Sequence, residues 1–303
     1  MPELPEVTTT VRGINEVAKG LTIKDVWSDW PKMIKSHSFG EFQKQISGKK
    51  ILGSERRAKN ILINLSGGKT MLIHMKMTGH VMYGKWRKCR KGDREGWRWI
   101  PIYDNTDHPL HDPYNRFLHF IIFLSNGHQL ALSDTRKFAK IELFDTDKIL
   151  RSKSLGTLGP EPLDTSFTSE IFTKRLSLKP TWPTKQALMG QELIAGIGNI
   201  YSDEILWEAG VHPMQKVREI DTKKMKKIYN AMISILKQSI TLGGDSMSDY
   251  RNIHGERGGF QNIHKVYRKT DEKCQKKGCG GTIERIKVAG RSAHFCNKHQ
   301  RLV

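Results

Sequence analysis

An α+β fold is predicted, in which one leading helix precedes an antiparallel β region, a helical region follows, and a small metal-binding hairpin closes the chain. Three observations carry this. The hydrophobic period is helical over residues 3–18 and turns to strand-type runs between 60 and 143. It returns to helical after LGTLGPEPLDTS (155–166), a stretch rich in glycine and proline. Three of the four cysteines lie in the last thirty residues. The expected regions are 1–155, 156–268 and 269–303.

In the first region, Leu4, Val7, Val11 and Ile14 share one helical face, Pro5 suits a first turn, and Gly20 marks a stop. NILINL (60–65) and TMLIHM (70–75) flank the turn Ser66-Gly67-Gly68-Lys69 and read as paired strands. LHFIIFL (118–124), HQLALS (128–133) and FAKIEL (138–143) read likewise, the first two joined by Ser125-Asn126-Gly127. Residues 85–115 hold Trp86, Trp97 and Trp99 without a clean period and are expected to form a long loop. Cys89, within it, has no assigned role. In the second region, 192–213 reads as helix, glycine turn, helix. Asp221 or Thr222 caps a helix with Met225, Ile228, Tyr229, Met232, Ile235 and Leu236 on one face, ended by Gly243-Gly244.

The charge sets the partner. Fifty-one Lys and Arg against 31 Asp and Glu leave +20, which asks for a polyanion, nucleic acid first and an anionic membrane surface second. With 37% hydrophobic residues and seven tryptophans the chain is not a disordered polycation. No apolar run reaches the ~18 residues of a membrane span, and no basic amphipathic helix supports a membrane role. No signal peptide is visible, so a cytoplasmic protein is expected.

Cys274-x4-Cys279 and Cys296-x2-His299 are two short ligand pairs sixteen residues apart. Zn²⁺ takes four tetrahedral S or N ligands, and two turns supply them at low entropic cost. TIERIKV (282–288), Ala289-Gly290 and RSAHF (291–295) between the pairs read as a hairpin. One structural Zn²⁺ is expected, since protein fills all four positions; the alternative is three buried cysteines and an unrelated histidine. Residues 265–303 carry eleven Lys and Arg against three Asp and Glu, which suits phosphate contact.

The start, Met1-Pro2-Glu3-Leu4-Pro5-Glu6-Val7, has two readings. If Met1 is removed, Pro2 offers a secondary amine titrating near ~8, neutral in useful fraction at pH 7, at the positive end of a helix that favours the neutral form. Glu3 is a neighbouring proton carrier. On spacing alone, a helix start with dipole-matched carboxylates accounts for the same residues more simply.

MPELPEV, together with RRAKNILINL (56–65), LIHMKMTG (72–79), SDTRKFAK (133–140), LGPEPL (158–163), GIGNIYSDEILWEAGVHP (196–213) and the terminal finger, resembles the formamidopyrimidine-DNA glycosylase family (Fpg), which shares its fold with endonuclease VIII (Nei). The likeness runs nearly end to end and favours the catalytic reading of the terminus. It implies a β-sandwich behind the first helix, a helix-two-turn-helix domain and the zinc finger, with duplex DNA in the cleft between domains. The implied activity is base excision repair by a bifunctional glycosylase and abasic-site lyase that cleaves the strand by β,δ-elimination. A secondary amine that attacks the sugar's anomeric carbon gives a cationic iminium, an electron sink that permits the eliminations.

Residue by residue, the resemblance implies Pro2 as nucleophile, Glu3 as general acid/base, Lys59 as a phosphate contact that aids the lyase steps, and Asn199 and Arg291 as the clamp on the phosphates near the lesion. Met77, Arg136 and Phe138 match the residues that fill the hole left by the flipped nucleotide. Phe117 stands where many relatives have a DNA-contacting histidine, and nearby His119 is the DNA-binding candidate in its place; Lys179 is a further phosphate candidate. His299 replaces the usual fourth cysteine, and Gln191 replaces expected Asp-Asn chemistry. Asp245–Tyr267 resembles a purine-capping loop, so oxidised purines (8-oxoguanine, formamidopyrimidines) are the expected lesions. A Nei-like enzyme for oxidised pyrimidines and hydantoins is the alternative, and a non-catalytic zinc-dependent protein that binds damaged DNA is the remote one. The expected partner is duplex DNA with oxidised bases or abasic sites, bound by a monomer.

Overall fold

The computed structural model describes residues 1–90 and 97–302. Two compact units divide the chain: residues 1–155 with 242–259, and residues 156–241 with 260–303.

In chain order the first unit contains α1 (Leu4–Ala18), β1 (Ile23–Ser28), α2 (Phe39–Ile46), β2 (Ile51–Arg57), β3 (Asn60–Leu65), β4 (Lys69–His74), β5 (His80–Gly84), β6 (Trp86–Arg90), β7 (Trp97–Pro101), β8 (Leu118–Leu124), β9 (Gln129–Ser133) and β10 (Lys140–Asp145). Two antiparallel four-stranded sheets, ordered β1-β8-β9-β5 and β10-β4-β3-β2, share one core. Alternate residues point inward, as the pleat requires. Phe120, Ile122 and Leu124 of β8 meet Ile61, Ile63, Ile73 and Ile141 of the other sheet, and α1 adds Val7, Val11 and Ile14.

The run LHFIIFL has no polar face because both faces of β8 are buried. Its other side, Leu118 and Ile121, joins Met82, Ala131, Trp86 and Leu110 in a second cluster against which Trp27, Trp99 and Phe123 pack. That cover comes from the tryptophan-bearing insertion, which is not the long loop expected of it. Strands β6 and β7 pair antiparallel from Trp86↔Pro101 to Arg90↔Trp97. Burial of indole against the sandwich supplies the driving force that the polar sequence conceals. Residues 91–96, also within the expected loop, lie outside the described residues.

The segment 242–259 returns to the first unit. Gly13 of α1 has Ile253 so close that a Cβ would lie 2.4 Å from its side chain. Tyr83 N–H donates to Ile253 O (2.7 Å), and Arg251, 2% exposed, makes a two-pronged contact with Asp112 (2.9 and 3.1 Å).

The second unit contains α3 (Ser169–Leu176), α4 (Thr184–Met189), α5 (Asn199–Ala209), α6 (Thr222–Thr241), β11 (Ile283–Val288) and β12 (Arg291–Cys296). Helix α6 buries Met225, Ile228, Met232, Ile235 and Leu236 as its stripe foretells, and Asp221 caps it through Lys224 N–H (2.7 Å). The turn before α5 needs glycine at Gly196, where φ is +92°. Gln191 braces this turn: its amide donates to Met189 O and Ile197 O and accepts from Gly196 N–H. Among the described residues no helix is long and apolar enough to cross a membrane.

Candidate nucleic-acid interface and active site

Pro2 and Glu3, which lead into helix α1 with Glu3 as its N-cap, are both buried, Glu3 only 1% exposed. Glu6, equally buried, accepts from Glu3 N–H through one oxygen (2.7 Å) and from Asp245 N–H through the other (2.8 Å). A carboxylate at N3 facing orphan helix donors is the expected capping arrangement. Here it also fixes Glu3, the residue that follows Pro2. Sequence reasoning treated Glu6 as a dipole-matched charge and missed this link.

Beside Met1 lies a cavity of about 510 Å³ with an apolar floor of Trp30, Met33, Met77, Phe138 and Ala139. Lys32, Lys35, Lys76 and Lys137 rim it, and no carboxylate does. An apolar floor inside four ammonium groups suits a flat ring carried on an anionic backbone. Of these residues the sequence singled out Met77 and Phe138 only; the sandwich collects the lysines from loops far apart in the chain.

Met77 stands in the β4–β5 loop; Arg136 and Phe138 stand in the β9–β10 loop. Phe138 is 51% exposed, with the Arg136 guanidinium 4.5 Å from its ring centre. One buried carboxylate ties the two loops together. Asp134 accepts from the Thr78 hydroxyl and Arg136 N–H through one oxygen and from Ala139 N–H (2.7 Å) through the other. Asp134 was missed because Ser-Asp-Thr-Arg reads as an ordinary surface turn. Strain marks the same places. Three of the six non-glycine residues with positive φ among the described residues are Ala58, Lys76 and Lys137. They adjoin Lys59, Met77 and the Arg136–Phe138 pair. Such conformations cost about 1–3 kcal/mol each and persist where the surroundings hold them.

Lys59 is buried, 7% exposed, in the β2–β3 turn. Asn60 steadies this turn through Arg57 O (3.1 Å), and Arg56 does so through Ala58 O (3.1 Å). His74 of β4 feels this charge. Burial first, then Lys76, Lys59 and Lys140, lower its pKa from 6.5 to about 3. Burial likewise takes His80 to about 4, against the opposing hydrogen bond to Asn115. Both are neutral in the fold and take a proton near 6.5 when unfolded, so the unfolded chain binds more protons below that pH. Stability is therefore expected to fall as pH drops from 6.5 towards 4, by up to ~1.4 kcal/mol per pH unit for each histidine. Thermal melts across this window check it, and His74→Gln should flatten the slope.

His119 is also buried, and its Nδ1 faces Asp29 Oδ1 at 2.8 Å. Its ring is engaged within the sandwich. Cys89 lies half-buried in β6.

In the second unit, Asn199 opens α5, and its Oδ1 is buried without a hydrogen-bond partner among the described residues. Arg291 is exposed at the start of β12, after the turn Ala289-Gly290. Helix α5 positions the finger. Asp203, fully buried, accepts from both N–H (3.0 Å) and Nδ1 (2.9 Å) of His294 and is paired with buried Lys185. Glu204 accepts from the N–H groups of Lys265, Val266 and Tyr267. Lys179, by contrast, rests over Trp182 (5.0 Å).

Cys274, Cys279, Cys296 and His299 converge, their ligand atoms all within 4.8 Å of one another. The Cys279 and Cys296 sulfurs are 3.5 Å apart, and His299 Nδ1 is 3.5 Å from those of Cys274 and Cys279. His299 Nε2 faces Trp207 O at 3.1 Å, which directs the N–H there and leaves Nδ1 for a metal. Three thiolates and one imidazole at these spacings fit one structural zinc ion.

Comparison with known proteins agrees with this arrangement. Residues 1–141 match the formamidopyrimidine-DNA glycosylase N-terminal domain, 158–251 its H2TH domain, and 271–298 the zinc finger found in FPG and IleRS. The chain is 36% identical to the formamidopyrimidine-DNA glycosylase of Bacillus subtilis (strain 168), covering 99% of each chain, and 34% identical to that of Desulfitobacterium hafniense (strain DSM 10664 / DCB-2), covering 98% of each. A Lactococcus lactis Fpg in complex with DNA containing an abasic site superposes with a TM-score of 0.83 at 32% identity, over 99% of each chain. MutM in complex with DNA containing carbocyclic 8-oxo-G superposes with a TM-score of 0.83 at 32% identity, over 99% of this chain and 100% of that one. This chain belongs to the formamidopyrimidine-DNA glycosylase family.

Proposed function

We propose that the protein is a bifunctional DNA glycosylase and abasic-site lyase that excises oxidised purines, 8-oxoguanine and formamidopyrimidines, from duplex DNA. The observation that carries this reading is the buried Pro2–Glu3 pair, next in the chain to Met1, which lines an apolar cavity rimmed by four lysines together with Met77 and Phe138. With Met1 removed, the Pro2 nitrogen attacks C1′ of the damaged nucleotide, the C1′–N bond breaks, and the base leaves with a proton. Ring opening of the sugar gives the iminium. Loss of a C2′ proton then expels the 3′ phosphate, and a second elimination expels the 5′ phosphate. Glu3 moves protons at the sugar, and Lys59 steadies the phosphates. Met77, Arg136 and Phe138 occupy the space of the extruded nucleotide, Asn199 and Arg291 grip the backbone, and the Asp245–Tyr267 segment covers the base. The protein acts as a monomer in the cytoplasm, on DNA.

Borohydride trapping on duplexes containing 8-oxoguanine opposite cytosine, run beside thymine glycol duplexes, tests the reading. A covalent adduct forming at least about tenfold faster on the purine lesion is expected. Preference for thymine glycol would favour the endonuclease VIII-like alternative, and damage-selective binding without trapping would favour a non-catalytic protein.

A further inference from the structure

The β6–β7 ribbon has properties that the excision site leaves unused. Its ten strand residues include Arg87, Lys88, Arg90 and Arg98 and no carboxylate. It is held firmly. Gln129 clamps the Trp86 backbone, accepting from its N–H (2.7 Å) and donating to its carbonyl (3.2 Å). Trp99 sets its ring 5.4 Å from Trp27 and 5.7 Å from Phe123. Beyond these anchors Trp97 is 63% exposed, with Lys88 Nζ 5.4 Å from its ring centre.

The ribbon also walls a cavity of about 480 Å³, with Trp86, Trp99, Leu110 and Phe117 among its lining, Arg98 and Arg116 as its cations, and Asp112, whose carboxylate is taken up by Arg251, as its one acidic residue. That volume is of small-ligand size. The Trp99 indole N–H is buried without an acceptor among the described residues. Met77 precedes β5 and Trp86 follows it, so the ribbon starts at the opposite end of that strand from the Met77 loop, about 17 Å away at ~3.4 Å per residue.

Aromatic faces beside guanidinium groups take a flat ring attached to an anion. A duplex keeps its base faces stacked, whereas a single strand offers them. We propose that the ribbon and its cavity bind an unpaired nucleotide of single-stranded DNA, at an auxiliary site separate from Pro2 and from the Met77–Arg136–Phe138 set. Trp97 stacks on a base, and Arg98 and Arg116 hold the flanking phosphate. This site goes beyond the excision reading and does not depend on it.

The test uses the full chain with its lesion site filled by an unlabelled abasic-analogue duplex, and measures anisotropy of a labelled, undamaged oligothymidylate. The parent is expected to bind the oligothymidylate. Trp97→Ala and Arg98→Ala are each expected to weaken that binding at least about fivefold, the low end for loss of one stacked base. Borohydride trapping on the 8-oxoguanine duplex should stay unchanged in both, which also shows that they fold. Absence of oligothymidylate binding by the parent, unchanged affinity in the variants, or an equal loss on undamaged blunt duplex would overturn the proposal. Failure of trapping in the parent itself would instead count against the excision reading.

Discussion

A chain that retains Met1 should form no borohydride-stable adduct with lesion duplex, and its base release should fall by 10³ or more, on the order seen when a covalent nucleophile is lost. The acylated Pro2 nitrogen of such a chain has no basic lone pair and cannot become an iminium. A free terminus titrating near ~8 is neutral in roughly a tenth of molecules at pH 7, enough to react without a tuned lysine. Pro2→Gly keeps a terminal amine and is expected to retain measurable trapping, which separates loss of the nucleophile from damage to α1. Glu3→Gln leaves the amine intact and removes the proton carrier, for an expected loss of about 10²–10⁴ in base release. Single-turnover assays on 8-oxoguanine duplex read all three. An adduct mapped to a lysine in the parent would overturn the assignment.

Removing zinc is the second large effect. The finger has little core of its own: Val266, Ile283, Cys279 and Cys296 gather around Trp207 of α5. Structural zinc sites contribute about 10–16 kcal/mol in small fingers, so the hairpin bearing Arg291 should lose its order when the ion goes. Chelation, or Cys296→Ser, is expected to weaken binding to abasic duplex by at least about a hundredfold, with loss of the metal by elemental analysis. His299→Cys should retain both metal and DNA, because thiolate serves the same position. Undiminished duplex binding by metal-free protein would contradict this role for the finger.

What the sequence disclosed follows from where periodicity survives. Helices α1 and α6 show clean helical periods, and β3, β8 and β9 stand out as apolar-rich runs because they are central strands. Strands β1 and β2 escaped notice for a physical reason. Both lie at sheet edges, and each carries a register shift, between Ile23 and Asp25 and between Ile51 and Gly53, which breaks alternation. Helix α2 was missed although Ser38 and Glu41 form a capping box that could have announced it. The metal ligands were legible because spacing alone constrains them. Pro2 and Glu3 were not, since a nucleophile and a plain helix start share one spelling; the family resemblance favours the first reading without testing it. Asp134 and the lysine rim were illegible because tertiary packing creates them.

The bond from Asp245 to Glu6 joins positions 239 residues apart. The first unit is therefore discontinuous in the order of synthesis. A nascent chain that has emerged only to residue 155 lacks Ile253 against Gly13 and the backbone donor that completes Glu6. The Pro2–Glu3 end of the protein, made first, is finished late, and it acquires its full setting only after most of the polypeptide has left the ribosome.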